Sequence, residues 1–304
     1  MTERITTIDL LRHGAPCLLL ATLLFSHAAT AAITVTDDRS KRITLPQPAT
    51  RIIGLTPHLT ELVFAAGAGG KLAGVSAYSD YPAGARQLPV IGDYSKIDLE
   101  RVALLKPDLI LAWISGNPRG DVERLEQLGF KVLALEPRKL DDIARHLLLI
   151  GELAGTGYEA TCAASQYRNQ IRLLESKYRA RQPVTVFYEI WHQPLMAIGQ
   201  AHLVSRAIEL CGGRNVFADL TGLTPTVSME SLLARNPQAI VASGALNERE
   251  ARLAPWREMK QLEAVRQAKV FYLNADTLHR ATPRMAQGIG DLCEKLDQVR
   301  RKRP

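Results

Sequence analysis

Between residues 51 and 135 apolar positions gather into short clusters, separated by stretches in which they recur at helical spacing. Arg51-Ile-Ile-Gly-Leu55 predicts a buried strand. Thr56 and Pro57 then predict a helix, with Thr56 at the N-cap, Pro57 in the first turn, Leu59, Leu62 and Val63 facing inward, and Gly67 at its end. Further strands are predicted over residues 72–76, 108–113 and 132–135, and helices over 97–105 and 122–129. Strands alternating with helices across short links are the pattern of a parallel α/β lobe. Ahead of it, residues 33–45 alternate around Asp37-Asp38, as a small hairpin does. From 140 to 181 the strand signal vanishes and helical periodicity takes over, broken only at Gly155 to Gly157. The piece from Tyr158 to about Ala180 would measure roughly 30 Å at 1.5 Å per residue, long enough for a stiff strut. Beyond it the α/β pattern resumes, with strands at 184–188, 239–242 and 270–273 and helices at 203–210, 229–234 and 285–299.

One phrase occurs in both halves. Glu100-Arg-Val-Ala-Leu-Leu-Lys-Pro107-Asp-Leu-Ile-Leu is echoed by Glu230-Ser-Leu-Leu-Ala-Arg-Asn-Pro237-Gln-Ala-Ile-Val. Each copy reads as a short amphipathic helix, a proline stop and a buried strand. The expected fold is therefore α/β: two Rossmann-like lobes with parallel central sheets, joined by a long rigid backbone helix, with a ligand cleft between them. The expected boundaries are a signal peptide over 1–31, a first lobe over 32–150, the backbone helix over 151–182 and a second lobe over 183–304.

Composition fits a globular chain, 46% apolar and 23% charged, and 304 residues exceed one comfortable core. Arg4 and Arg12 precede the apolar run from Ala15 to Phe25, and Ala29-Thr30-Ala31 offers a cleavage site. These features define a secretory leader, with a retained anchor helix as the weaker alternative, and imply a soluble exported protein that is periplasmic in a Gram-negative source. Losing the leader removes two acids and two bases, so the net charge of +7 survives, much of it in the tail from Arg300 to Arg303. With no aromatics interleaved, that tail reads as a solvated end, and no nucleic-acid partner is expected. Three cysteines remain after cleavage. An oxidising compartment allows one bridge and one thiol: Cys211 opens a Gly-Gly turn, Cys293 sits on the last helix, and a bridge between them would staple that helix to its lobe, leaving Cys162 free.

Enzyme motifs are missing: the sequence has no GxGxxG, P-loop, GxSxG or HExxH. Gly67-Ala-Gly-Gly70 follows a helix and reads as its C-cap. His58, His192 and His279 all follow predicted strands and would have to converge to hold a metal; solvated or loop-bonded histidines are the commoner case, and no metal site is expected. Tyr78, Tyr81, Tyr94, Trp113 and Trp191 also follow strands, in both halves. Ligands of parallel α/β lobes sit at the carboxyl ends of strands, so these aromatics suit a bulky planar ligand, whereas Trp113 or Trp191 alone would pass as lobe-edge core. Glu100 and Glu230 are either ordinary helix-dipole partners or two outward carboxylates that engage basic pockets on a symmetric partner.

Several segments together resemble one family: Thr56-Pro-His-Leu-Thr-Glu61-Leu, Ser76-Ala-Tyr-Ser-Asp-Tyr-Pro82, Leu99-Glu-Arg with Leu105-Lys-Pro-Asp108, Ala112-Trp113, Glu209-Leu-Cys-Gly-Gly213, Ala234-Arg-Asn-Pro-Gln238-Ala-Ile and Arg280-Ala-Thr-Pro-Arg284. They are similar to the periplasmic cobalamin-binding proteins of ABC importers, part of a helical-backbone superfamily that also serves haem, ferric siderophores and metal ions. The resemblance runs from about residue 50 to the last helix. It implies a monomeric, non-catalytic receptor without a cofactor of its own, which captures a corrinoid and delivers it to a membrane permease dimer with its ATPase subunits. It implies corrin contacts at Tyr78, at Tyr94 (where the family has a tryptophan) and at Trp113, with a ligand loop over Asp276, Thr277, Leu278, His279 and Arg280. It further implies permease docking by Glu100 and Glu230 and a Cys211–Cys293 disulfide. Thr277-Leu278 departs from an aromatic pair and Thr224 from a pocket tryptophan, with Trp191 nearby to compensate. His58 and His279 are polar additions placed to meet cobalt or a corrin amide. Haem or a ferric siderophore is the alternative cargo, although siderophore pockets collect arginines and only Arg280 is a strong candidate here. An enzyme subunit of similar fold would need cysteines at the cleft, and Cys162 belongs to the strut.

Overall fold

The computed structural model describes residues 32–93 and 95–301; residues 1–31, where the leader is expected, Tyr94 and the end of the basic tail lie outside them. Strands β1 (Ile33–Thr36) and β2 (Arg42–Leu45) form the leading antiparallel hairpin. Asp38 in its turn accepts hydrogen bonds from the Glu136 amide and His146 and an ion pair from Arg145, which seats the hairpin on the first lobe. Burial pushes the Asp38 carboxyl up, but these partners outweigh it and hold the group well below the usual range.

The first lobe continues with β3 (Ile52–Gly54), α1 (Pro57–Ala65), β4 (Leu72–Val75), α2 (Leu99–Leu104), β5 (Leu109–Trp113), α3 (Arg119–Gln127) and β6 (Val132–Leu135). Helix α4 (Leu140–Ala154) stops at Gly155, whose φ of 67° is the left-handed cap that glycine adopts without strain, and α5 (Gly157–Tyr178) is the strut. Residues 151–154, placed in the backbone helix from sequence, form the last turn of α4. The second lobe comprises β7 (Val184–Glu189), α6 (Leu203–Leu210), β8 (Gly213–Asn215), α7 (Met229–Arg235), β9 (Ala239–Gly244), α8 (Arg249–Arg257), α9 (Glu263–Arg266), β10 (Val270–Asn274), α10 (Ala275–Leu278) and α11 (Met285–Arg301).

Both four-stranded sheets are parallel, in the orders β4-β3-β5-β6 and β8-β7-β9-β10. Counted along each lobe, the two orders are the same: second, first, third, fourth. The repeated phrase is also repeated in its geometry. Asp98 and Ser228 cap α2 and α7 by accepting the amides of Arg101 and Ser231, three residues on. Lys106 and Asn236, each just before the proline, both take a positive φ. After the proline, Asp108 accepts the Arg51 amide and Gln238 the Thr185 amide, which ties each lobe's third strand to its first.

Side chains on the strands alternate between two cores, as the pleat requires. Leu109 and Leu111 of β5 and Val184, Val186 and Tyr188 of β7 face a single apolar cluster that also contains Leu147, Ala160, Tyr167, Tyr178 and Leu292. Ile110 and Ala112 turn to a separate core in the first lobe, and Phe187 and Ile240 to another in the second. One core thus runs beneath both sheets, with α4, α5 and α11 in its midst. A Cys211–Cys293 disulfide with Cα atoms 4.8 Å apart joins the end of α6 to α11, while Cys162 is free and exposed on the strut.

Candidate functional site

In a parallel sheet whose order reverses, the loops beside the reversal diverge and leave a crevice at the carboxyl ends of the strands. Here the reversal lies at β3 in the first lobe and β7 in the second, flanked by β5 and β9. A hollow of about 350 Å³ occupies this position, with His58, Trp113, Ser115 and Glu136 on one side and Ile190, His202, Thr224, Leu278, His279 and Ala281 among the residues opposite. Larger hollows of about 460 and 670 Å³ flank the strut, away from the strand ends; the first is walled by charged side chains such as Arg168, Arg172, Glu175 and Arg179.

The first-lobe wall is built from the ends of β3 and β5. Thr56 stands at the N-cap of α1 as expected, yet its hydroxyl caps nothing and shares a 3.0 Å hydrogen bond with His58 Nδ1. The imidazole is buried and meets Trp113 edge-on at 5.1 Å between ring centroids. The Trp113 amide donates to Asn117 Oδ1 at 2.7 Å, and Asn117 Nδ2 donates in turn to the Leu55 carbonyl. Gly116 lies under the indole, where a Cβ would fall 1.9 Å from a ring carbon, so no larger residue leaves Trp113 in place. Glu136 accepts the Ser115 amide and hydroxyl at 2.9 and 3.1 Å. His58 Nε2 and Trp113 Nε1 are two of the four buried side-chain polar atoms with no partner among the described residues, so half of these orphans stand in this wall.

Across the hollow, His279 Nε2 hydrogen-bonds the Tyr188 hydroxyl at 2.9 Å and the Ser243 hydroxyl at 3.2 Å. His202 caps α6, its Nδ1 accepting the Val204 amide at 3.1 Å. Burial drives down the pKa of all three imidazoles, to about 3 for His58 and His279 and about 4 for His202, so all three are uncharged at physiological pH.

The lobes are also pinned to each other. Glu61 of α1, itself buried, receives Arg280 at 2.8 Å and Arg284 at 2.6 Å. Arg280 further pairs with Asp80 at 2.7 Å and Asp276 at 3.0 Å, and Arg284 stacks on the Tyr81 ring at 3.9 Å. Burial raises the Asp80 carboxyl, but the Arg280 hydrogen bond and charge outweigh it and leave the group below its ordinary value.

Of the residues singled out from sequence, Trp113, Leu278 and His279 line the hollow together with His58 and Thr224. Tyr78 is 74% exposed on a left-handed backbone (φ 65°), and its carbonyl lies 3.4 Å from Arg280 Nη2, beside the pinned edge. Trp191, 50% exposed, donates to the Gln193 carbonyl and carries the Arg252 guanidinium over its ring; it follows the lining residue Ile190 without lining the hollow itself. Asp276 and Arg280 belong to the interlobe ion pairs, and Thr277 is buried with its hydroxyl donated to the Asn274 carbonyl. Tyr94 lies outside the described residues. His192 pairs with Glu189 at 3.2 Å outside the lining set, and no cluster of three or more metal-ligating side chains occurs among the described residues. Glu100 and Glu230 are exposed at the second positions of α2 and α7. Sequence reasoning missed Glu136, His202 and the partners of Arg280. Glu136 follows a strand and was findable by that rule, whereas His202 follows a segment with no strand signal.

Two like sheets on a helical strut, with a walled crevice over both points of reversal, define a two-lobed binding protein. Residues 52–277 match the periplasmic binding protein family, and the chain belongs to that family. It is 38% identical over 252 residues to a vitamin B12-binding protein of Vibrio cholerae, covering 83% of this chain and 90% of that one. The crystal structure of the periplasmic vitamin B12 binding protein BtuF of Vibrio cholerae superposes with a TM-score of 0.78 at 36% identity, over 84% of this chain and 99% of that one. The periplasmic heme-binding protein RhuT from Roseiflexus sp. RS-1 shares the fold, with a TM-score of 0.71 at 21% identity, over 83% of this chain and 99% of that one.

Proposed function

We propose that this chain is a non-catalytic periplasmic receptor, freed of its leader after export, that captures cobalamin or a related corrinoid in the cleft and delivers it to an ABC importer of the inner membrane. The observation that carries this reading is the charge of the cleft. Three neutral imidazoles, an indole and a carboxylate face the hollow, and Arg280, the cation expected there, is engaged by three carboxylates. An anionic chelate, or a haem with its propionates, would bring negative charge to a wall already holding Glu136, with no guanidinium among the described lining residues to receive it. A corrin edged with neutral amides meets no such penalty. The similarity to vitamin B12-binding proteins points the same way.

The proposed contacts are Trp113, Leu278 and His279 in the wall, Tyr78 and Trp191 at the rim, Tyr94 from its place in the sequence, and Asp276, Thr277 and Arg280 shaping the turn that presents α10. Purified protein titrated with cyanocobalamin is expected to lose tryptophan fluorescence and to co-elute the red ligand at 1:1, with Trp113→Phe removing much of the quench. Preference for haemin over the corrinoid would overturn the cargo.

Glu100 and Glu230 are proposed to dock the receptor, as a monomer, on the two halves of the permease. Each extends from an equivalent helix start in its lobe, and reversing both charges would set like against like at a cost of several kcal/mol. The Glu100→Lys, Glu230→Lys double variant should bind the corrinoid normally yet lower uptake in cells by about tenfold or more. Undiminished uptake would remove both residues from docking.

A further inference from the structure

We propose that His58 grips the metal of the cargo: its Nε2 takes the axial position of a cobalt(III) corrinoid that carries an exchangeable water there. This rests on the corrinoid reading of the cleft.

Three observations converge on the residue. Nε2 of His58 is the one histidine nitrogen among the described residues that is buried with no hydrogen-bond partner, a condition that is costly unless a ligand relieves it. His202 and His279, across the same hollow, have ring nitrogens committed to the Val204 amide and to the Tyr188 and Ser243 hydroxyls. The other nitrogen of His58 is held by the Thr56 hydroxyl at 3.0 Å, although an N-cap threonine would ordinarily turn that hydroxyl to the helix amides. With Nδ1–H donated to Thr56 Oγ1, the Nε2 lone pair is bare, which is the arrangement that orients metal-ligating histidines elsewhere. Finally, the ring projects from the first turn of α1, just after the strand at the reversal point of the first sheet, and lines the hollow.

The step is a ligand substitution. The cobalt–oxygen bond breaks and water leaves with its electron pair; the Nε2 pair forms the cobalt–nitrogen bond. Cobalt keeps its oxidation state, and no proton moves, because the proton stays on His58 Nδ1, donated to Thr56 Oγ1. Seating the macrocycle shifts the Trp113 ring, which now packs against the imidazole at 5.1 Å between centroids.

The test compares aquocobalamin, whose axial water exchanges, with cyanocobalamin, whose cyanide does not. Binding is followed by tryptophan fluorescence and coordination by the visible spectrum. The wild-type protein should shift the main near-ultraviolet band of aquocobalamin to longer wavelength and favour it over cyanocobalamin by at least about tenfold. In His58→Ala the shift should vanish and the ratio of affinities fall to near one, while Thr56→Val should weaken the shift. Binding of aquocobalamin by the wild type with an unchanged spectrum overturns the role of His58 and leaves the cargo standing. Failure of the wild type to bind either corrinoid overturns both.

Discussion

Replacing Cys211 and Cys293 together with alanine is expected to lower the unfolding free energy by about 4–5 kcal/mol, read as a displaced midpoint in urea. The bridge spans 82 positions of sequence, and that closed loop contains β8, α7, β9, α8, α9, β10 and α10. In the chain-entropy account, cutting it releases this whole stretch in the denatured state. Both cysteines are fully buried against Leu210, Ile289 and Leu296, so the alanines also leave small voids. Mass spectrometry of the non-reduced protein should find the two joined, and Cys162→Ala, on the exposed strut, should stay within about 0.5 kcal/mol of wild type. A Cys211/Cys293 variant as stable as the parent would mean that packing of α11 alone holds the lobe.

Acid should weaken the empty receptor well before carboxylates begin to titrate. His58, His202 and His279 have pKa values lowered to about 3, 4 and 3, chiefly by burial, against an ordinary 6.5 in the unfolded chain. Between these limits the unfolded state binds more protons, so stability is full above about pH 6.5 and declines as pH falls toward the folded values. Each histidine then forfeits about 1.4 kcal/mol per unit of pH, and the three together about 4 kcal/mol between pH 7.5 and 5.5. Urea unfolding at the two pH values checks this, with His202→Asn expected to lose roughly a third of the difference. Asp38 and Asp80, whose pKa values are depressed, keep their contribution in this window and lose it only below the ordinary carboxylate range. Equal stability at pH 7.5 and 5.5 would mean that the imidazoles reach water in solution.

The elements legible in the sequence were those with a strong period and a buried face. The seven strands over 52–54, 72–75, 109–113, 132–135, 184–189, 239–244 and 270–274 and the strut all stand within a few residues of expectation. Strand β8 was invisible because Gly213-Arg-Asn215 has no apolar alternation; it forms only because β7 offers an unpaired edge. Helix α10 is a single turn started by the Asn274 side chain, too short to show periodicity. The post-strand rule singled out His58, Trp113 and His279, which line the hollow. It could not separate wall from rim: Tyr78, on a left-handed φ of 65°, is 74% exposed and stays out of the lining. The fate of Arg280 was equally hidden: its carboxylate partner Glu61 lies 219 positions away.

The seam beneath the two sheets bears on any attempt to redirect this receptor to new cargo. Val186, Tyr188 and Val241 from one lobe and Leu109, Leu111 and Leu133 from the other share one apolar cluster with Tyr167 and Leu147. A chimera that exchanged a lobe at residue 182 would cut through that shared packing and inherit mismatched halves of it. Retailoring is better confined to the outer ends of the strands, where side chains can be swapped without disturbing the keel they stand on.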